Sequence, residues 1–274
     1  MLQTQSYFSV SGSAESSNAC DVEIIFDRPS VEVVEIALFA LQGAGVELVE
    51  WDVLLRMRMG VPRLLHDFSY LVPDDRLEDA CNILESIGLP LYPPSDLVLK
   101  SQGDLYVRGH FYRITRSTQP FFINRIYLYP YPLAAFSRSE LSEQRPFHLS
   151  SSRYSNILVP RPSAVRAFII RTMARYPQYC YTRRVLDNEL GELILYFFLG
   201  YTLHNLPKGE EEVWQWEDED RRIAAASNIV KQWCMDREWR QGEKWIGDAL
   251  ASVVTGGDTG DFPTVADTQN RQLW

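Results

Sequence analysis

The stretch from Glu47 to Asp75, ELVEWDVLLRMRMGVPRLLHDFSYLVPDD, constrains this chain more than any other. A short apolar run, Val46 to Val49, leads into Asp52 to Met59, which carries mostly helix-forming residues. Gly60 stops that helix, and Pro62 prevents its continuation because proline has no amide to donate. Leu64 to Val72 then reads as a strand. Its alternation places Leu65, Asp67, Ser69 and Leu71 on one face and His66, Phe68, Tyr70 and Val72 on the other. Pro73-Asp74-Asp75 closes the strand, with Asp74 read as the N-cap of a further helix. This order belongs to an α/β domain that keeps its chemistry at the ends of its strands.

The flanking chain extends the pattern. Asp21 to Phe26 predicts a strand, and Pro29-Ser30 predicts a turn and N-cap. Val31, Val34, Leu38 and Leu41 then repeat at helical spacing until Gly43 and Gly45. Leu77, Cys81 and Leu84 form the stripe of a second helix ending at Gly88. Leu105–Val107, Phe111–Ile114 and Phe121–Tyr129 are short β-like runs that suit antiparallel additions to the sheet. Behind them the chain turns helical. Val165, Phe168, Ile169, Thr172 and Met173 share a face, Leu186 to Leu203 is a more apolar helix, and Asp220 to Val253 predicts a third, burying Ile223, Val230, Trp233 and Ile246. The expected division is a flexible start (1–18), an α/β domain (19–136), a Ser-, Arg- and Glu-rich linker (137–156), a helical domain (157–254) and a disordered tail (255–274).

Charge and cysteine usage exclude several functions. A formal net charge of -9 repels phosphate backbones and anionic lipid, so neither nucleic acid nor membrane is an expected partner. No run approaches the ~20 apolar residues that span a bilayer. Cys20, Cys81, Cys180 and Cys234 are too scattered for a zinc site or a disulfide framework. With no basic-then-apolar leader at Met1, a cytoplasmic location is expected. The cluster Arg161, Arg166, Arg171, Arg175, Arg183 and Arg184 reads as a solvated helix face, with Arg166 and Arg175 away from the apolar stripe. Of seven tryptophans, five lie from Trp214 to Trp245, and the helical spacing of Trp233 with Ile223 and Val230 argues for core positions there.

Gly60-Val61-Pro62-Arg63, then Asp67-Phe68-Ser69-Tyr70-Leu71-Val72-Pro73-Asp74, then a helix ending near Ile87-Gly88, resembles the nucleotidyltransferase fold. The similarity is to the kanamycin-type enzymes and the divergent fungal nucleotidyltransferase-like proteins, and it covers about Asp21 to Pro132. It implies an α/β fold with a nucleotidyltransferase-like mixed sheet flanked by helices, followed by a mostly helical C-terminal half. In that superfamily a glycine step before a helix cradles the triphosphate of an NTP. Two acids one residue apart on the next strand hold magnesium, and a third comes from a neighbouring strand. Carboxylates two apart on a strand point the same way and can share a hard cation.

This chain has Glu50-Trp51 at the glycine step and Asp67 with Ser69 at the metal pair, and Asn124 to Tyr129 offers no acid. The resemblance therefore implies a degenerate metal and triphosphate site. A non-catalytic binding or regulatory protein follows, without cofactor, whose partner is an unidentified protein or small molecule. The alternative is a divergent active enzyme that transfers a nucleotide from an NTP to a small molecule or protein. Asp67 would then be the metal ligand, helped by Glu50 or Asp52, with Mg and NTP as cofactors. Each acid also has a structural reading. Asp67 could bond to Arg63 or to backbone amides, and Asp52 could cap a helix. His66 points away from Asp67, and Asp104 is a weaker third acid. A scaffold that meets a basic partner through Glu210–Asp220 is a third option.

Overall fold

Val33, Val34, Ala37, Leu38 and Leu41 fall on one face of the first helix and are fully buried, which holds α1 (Ser30–Gly43) against the rest of the chain. The computed structural model describes residues 25–96, 103–119, 122–149, 155–202 and 212–262, with the side chains of 212–217 and 261 excepted. Of the strand expected from Asp21 to Phe26, the first four residues lie outside the described residues; Ile25 is helical and Phe26 begins the turn that leads to α1. Next come β1 (Val49–Trp51), α2 (Val53–Arg58), β2 (Asp67–Val72) and α3 (Asp74–Ser86). The alternation expected from Leu64 becomes a strand only at Asp67. Gly60 takes the left-handed φ of 89° that ends α2, a conformation open to glycine at no steric cost. Asp74 begins α3, and Pro73 holds the cap position.

β3 (His110–Arg113) and β4 (Arg125–Pro130) follow, whereas Tyr106–Arg108 is a 3-10 turn instead of the expected β-like run. Residues 137–156, expected as a linker, include β5 (Leu141–Gln144), and β6 (Ile157–Pro160) opens the expected helical domain. All six strands form one mixed sheet in the order β3-β4-β2-β1-β6-β5. β2 runs parallel to β4 and β1 parallel to β6, and the other neighbours are antiparallel. The architecture is thus mixed α/β with a helical C-terminal part.

Register assigns the side chains to faces. Trp51 pairs with Ser69 and Ser69 with Tyr127, so Trp51, Asp67, Ser69, Tyr127 and Tyr129 share one face. Glu50, paired with Tyr70, belongs to the opposite face, which α3 covers by packing on β2 and β4. The first face meets the helical part: α4 (Pro162–Met173), α5 (Tyr181–Leu193), α6 (Glu212–Met235) and α7 (Lys244–Val254). Trp51 stacks edge-on against Phe168 of α4 at 4.9 Å. The single helix expected over Asp220–Val253 is divided between α6 and α7, with Arg237 and Gly242 at positive φ in the break. The apolar run after Leu193 is a π-turn at Ile194–Phe198. No described helix is long and apolar enough to cross a membrane. Cys81, Cys180 and Cys234 are free thiols, and Cys20 lies outside the described residues.

Arg166 departs most from expectation. It lies on no solvated face and is wholly buried. Its guanidinium stands 4.1 Å from the Phe197 ring centre, 5.0 Å from Phe198 and 5.7 Å from Trp233, while Nη1 donates to the Pro162 carbonyl and to Met59 Sδ. Nε and Nη2 have no partner, and burial lowers its pKa to about 9. The aromatic faces offer about 2 kcal/mol or more to a desolvated cation. Two unpartnered donors cost roughly 1–3 kcal/mol each, which offsets the aromatic gain.

A carboxylate of low exposure ties the sheet to the helices. Glu140 follows β4 in a tight turn where it accepts from the Ser137 amide at 2.6 Å, and Arg240 donates to both its oxygens at 2.9 and 2.6 Å. Burial works to raise the Glu140 pKa, but Arg240 and the Ser137 amide outweigh it and hold it below the usual carboxylate value. Arg171 of α4 stands 3.9 Å from Glu140 and grips Glu243 with two bonds of 2.7 Å. Glu140→Ala is expected to cost roughly 1.5–3 kcal/mol, because the charge-assisted bonds from Arg240 and the Ser137 amide are lost. A lower urea midpoint at unchanged slope would register it. Arg166→Met should stay within about 1 kcal/mol of the parent by the same measurement, since the opposing effects of its burial disappear together.

Candidate functional site

β1 ends at Trp51, and the chain must reverse sharply to start α2. Asp52 makes that reversal with φ 52° and ψ -121°, a left-handed conformation that costs a non-glycine residue about 1–3 kcal/mol. The expected capping role is not taken up, since the Asp52 carboxylate makes no bond to the amides of α2. It pairs instead with Arg56, one helical turn on. Arg56 Nη1 also donates to Glu189 Oε1 of α5 at 3.2 Å. Arg63, in the loop after α2, pairs with Glu192, one turn beyond Glu189. Arg63 is therefore not the partner of Asp67.

These pairs lie along a cleft of about 750 Å³ between the first face of the sheet and helices α4 and α5. Trp51, Tyr106, Tyr129 and Phe168 supply aromatic wall, and Asp52, Arg56, Asp187, Glu189 and Glu192 supply charge. Burial alone would lower the Arg56 pKa, but Asp52, Glu189 and Glu192 outweigh it and hold it above its ordinary value. Glu189 is pushed up by burial, which Arg56 offsets only in part. Glu192 Oε2 is sealed and has no donor, so the Arg63 pair is one-sided.

Asp67 sits behind this wall. Tyr106 lines the cleft and donates to the Tyr127 hydroxyl at 2.8 Å. Tyr127 in turn favours the charged form of Asp67 through a hydrogen bond. Oδ1 of Asp67 is sealed and without a hydrogen-bond partner, and Arg125 stands 4.0 Å away. Burial pushes Asp67 up to about 6, with Arg125 and Tyr127 pulling the other way and Asp52 adding to the rise. Burial likewise pushes the Tyr106 phenol up to about 12, so it stays protonated and able to donate. Ser69, beside Asp67 on the same face, is fully buried with its hydroxyl unpartnered.

The other acids lie apart from Asp67. Glu50 is on the opposite face, fully buried, and Arg58 grips both its oxygens at 2.6 and 2.8 Å. Next to it His148 meets the Tyr70 hydroxyl at 3.3 Å, and burial depresses its pKa to about 4. His66 contacts Asn124 at 3.3 Å. Asp104 lies against Tyr176, with its amide donating to Thr182 Oγ1 at 3.2 Å. Among the described residues no group of three or more His, Cys, Asp or Glu could hold a metal ion. Of the acidic segment Glu210–Asp220, residues 210 and 211 lie outside the described residues, as do the side chains of 212–217. Arg56, Glu189 and Glu192 escaped the sequence reading. Their one signal is a pair of acids three apart on the polar shoulder of the Leu186-Leu190-Leu193 stripe.

The Asp67 shift has a sign that can be tested. Its folded pKa, about 6, lies above the ordinary 3.8, so the associated stability is present below pH ~4 and lost as pH rises through 6. With about a third of the side chain open to screening, the loss is about 1–3 kcal/mol. Asp67→Asn should therefore raise the melting temperature at pH ~8 and leave it nearly unchanged at pH ~4. Equal shifts at both pH values in thermal unfolding would contradict this. The sequence matches no protein-family model and no curated protein.

Proposed function

We propose that this chain is a nucleotidyltransferase-like protein whose metal and triphosphate site has degenerated, and that it works as a non-catalytic binding protein through the cleft beside Trp51. The observation that carries the reading is the Asp52–Arg56–Glu189 arrangement at the turn after β1. In the fold that the sequence resembles, this turn is where glycine amides meet phosphate. Here a carboxylate occupies the turn, and the nearest guanidinium is already held between two acids. A triphosphate would have to displace both.

The order β1-α2-β2-α3, with β2 antiparallel to β1 and parallel to β4, supports the kinship. So does the left-handed backbone of Asp52, a conformation that glycine adopts freely. The metal side supports the loss of chemistry. Asp67 stands with Ser69 and Tyr127 where further carboxylates would be needed, so it would face a hard cation as a lone carboxylate.

One observation favours the active alternative. Asp52 lies close enough to Asp67 to raise its pKa, and it lines the cleft that Asp67 backs. Calorimetry with ATP and magnesium separates the two readings. No heat of binding is expected at millimolar nucleotide for the parent or for Asp67→Ala. Tight, magnesium-dependent binding that Asp67→Ala abolishes would overturn the non-catalytic reading and establish Asp67 as a ligand.

A further inference from the structure

The cleft is more selective in charge than in shape. Four carboxylates line it, Asp52, Asp187, Glu189 and Glu192, against the guanidiniums of Arg56 and Arg63. Both guanidiniums are engaged, Arg56 by Asp52 and Glu189, and Arg63 by Glu192. The carboxylates are not exhausted. Asp52, Glu189 and Glu192 keep 25%, 24% and 30% of their side chains open. An anion entering the cleft would meet four carboxylates against two guanidiniums, each already paired with an acid.

Resting on the reading of the cleft as a binding site, we infer that its ligand is a compact organic cation, a protonated amine on an aromatic or alicyclic body. The ammonium would sit near Glu189 and Glu192, and the body would lie against Trp51, Tyr106 and Phe168. An aromatic body set against such rings gains about 0.5–1.5 kcal/mol per ring pair beyond the apolar area it buries. A cavity of about 750 Å³ lies within the usual size for small-molecule sites. Leu55, Val165 and Leu186 in the same wall would leave the hydroxyls of a sugar-like cation unmatched, which favours an apolar body. The net charge of -9 further draws cations towards the surface.

The test uses three probes of similar size on the full chain at pH ~7.5: 2-phenylethylammonium, 3-phenylpropanoate and 2-phenylethanol, followed by ligand-detected NMR titration. The ammonium is expected to bind at least about tenfold tighter than the carboxylate, and to weaken severalfold between about 20 and 200 mM salt. Glu192→Gln, at the more open pair, should weaken it severalfold without unfolding the chain, and Glu189→Gln more. Glu143→Gln, at an exposed surface pair with Arg138, should change nothing. Equal binding of ammonium and carboxylate, preference for the carboxylate, or binding of none of the three would each overturn the inference. A parallel titration with magnesium and ATP keeps the outcomes distinct. Failure of the amine with no nucleotide binding removes this inference alone, whereas nucleotide binding also removes the non-catalytic reading on which it rests.

Discussion

Arg56 is the point at which the two parts of this protein are fastened across the cleft. One of its partners, Asp52, comes from the turn after β1, and the other, Glu189, comes from α5. Burial opposes a charged guanidinium there, yet three carboxylates overcome it. Such an arrangement adds little net stability over an apolar replacement, because desolvation offsets most of the Coulomb gain. What it adds is geometry. α5 has one position at which Glu189 meets Arg56 and Glu192 meets Arg63. The Glu140–Arg240 and Arg171–Glu243 pairs hold α4 and the turn before α7 to the sheet in the same manner. Cohesion between these elements comes from apolar contact, above all Trp51, Phe136 and Phe168, whose ring centres lie 4.9 to 6.1 Å apart.

How much of this could be read from the sequence differed from element to element. α1 buries one side, and its periodicity showed in Val34-Leu38-Leu41. β2 is buried on both faces from Phe68 to Val72, and what showed was a short run bounded by Gly60-Val61-Pro62 and Pro73-Asp74. α4 gave a misleading pattern because it is enclosed nearly all round, with Ser163, Arg166 and Thr172 buried beside its apolar residues. An arginine in such a helix looks like a solvent marker, and the aromatic groups that shelter it, Phe197, Phe198 and Trp233, come from distant sequence. β5 was hidden for the opposite reason. Leu141–Gln144 is an edge strand with little burial, so its composition resembles a linker, and only pairing with β6 makes it a strand. The break between α6 and α7 depends on a positive φ at Arg237, which no composition rule would place there.

The candidate site was legible in position and not in parity. A strand reverses the side of every residue when its end moves by one. With β1 extending through Trp51, Glu50 is sent to the opposite face and into the grip of Arg58, and the turn falls on Asp52. Two neighbouring acids that look interchangeable in sequence thus occupy different environments. Glu50 is sealed and satisfied by Arg58 and the Phe147 amide. Asp52 stands at the cleft in a strained backbone. Asp67, between them in the argument for catalysis, is left with Tyr127, Arg125 and an unpartnered oxygen.

The strain at Asp52 then takes on a meaning that composition alone could not supply. Glycine at that turn would remove about 1–3 kcal/mol of backbone strain and would open the approach of a phosphate to the amides. Aspartate keeps the strain and uses its carboxylate to hold Arg56, which in turn holds Glu189. Each step moves the cleft away from anions. The guanidinium that could have met phosphate is neutralised, and a carboxylate stands at the mouth of the turn. Asp67 has only Ser69 and Tyr127 beside it on its face, with no second carboxylate to share a metal. Asp52, Asp187, Glu189 and Glu192 thus outnumber Arg56 and Arg63 in a cleft whose walls are aromatic.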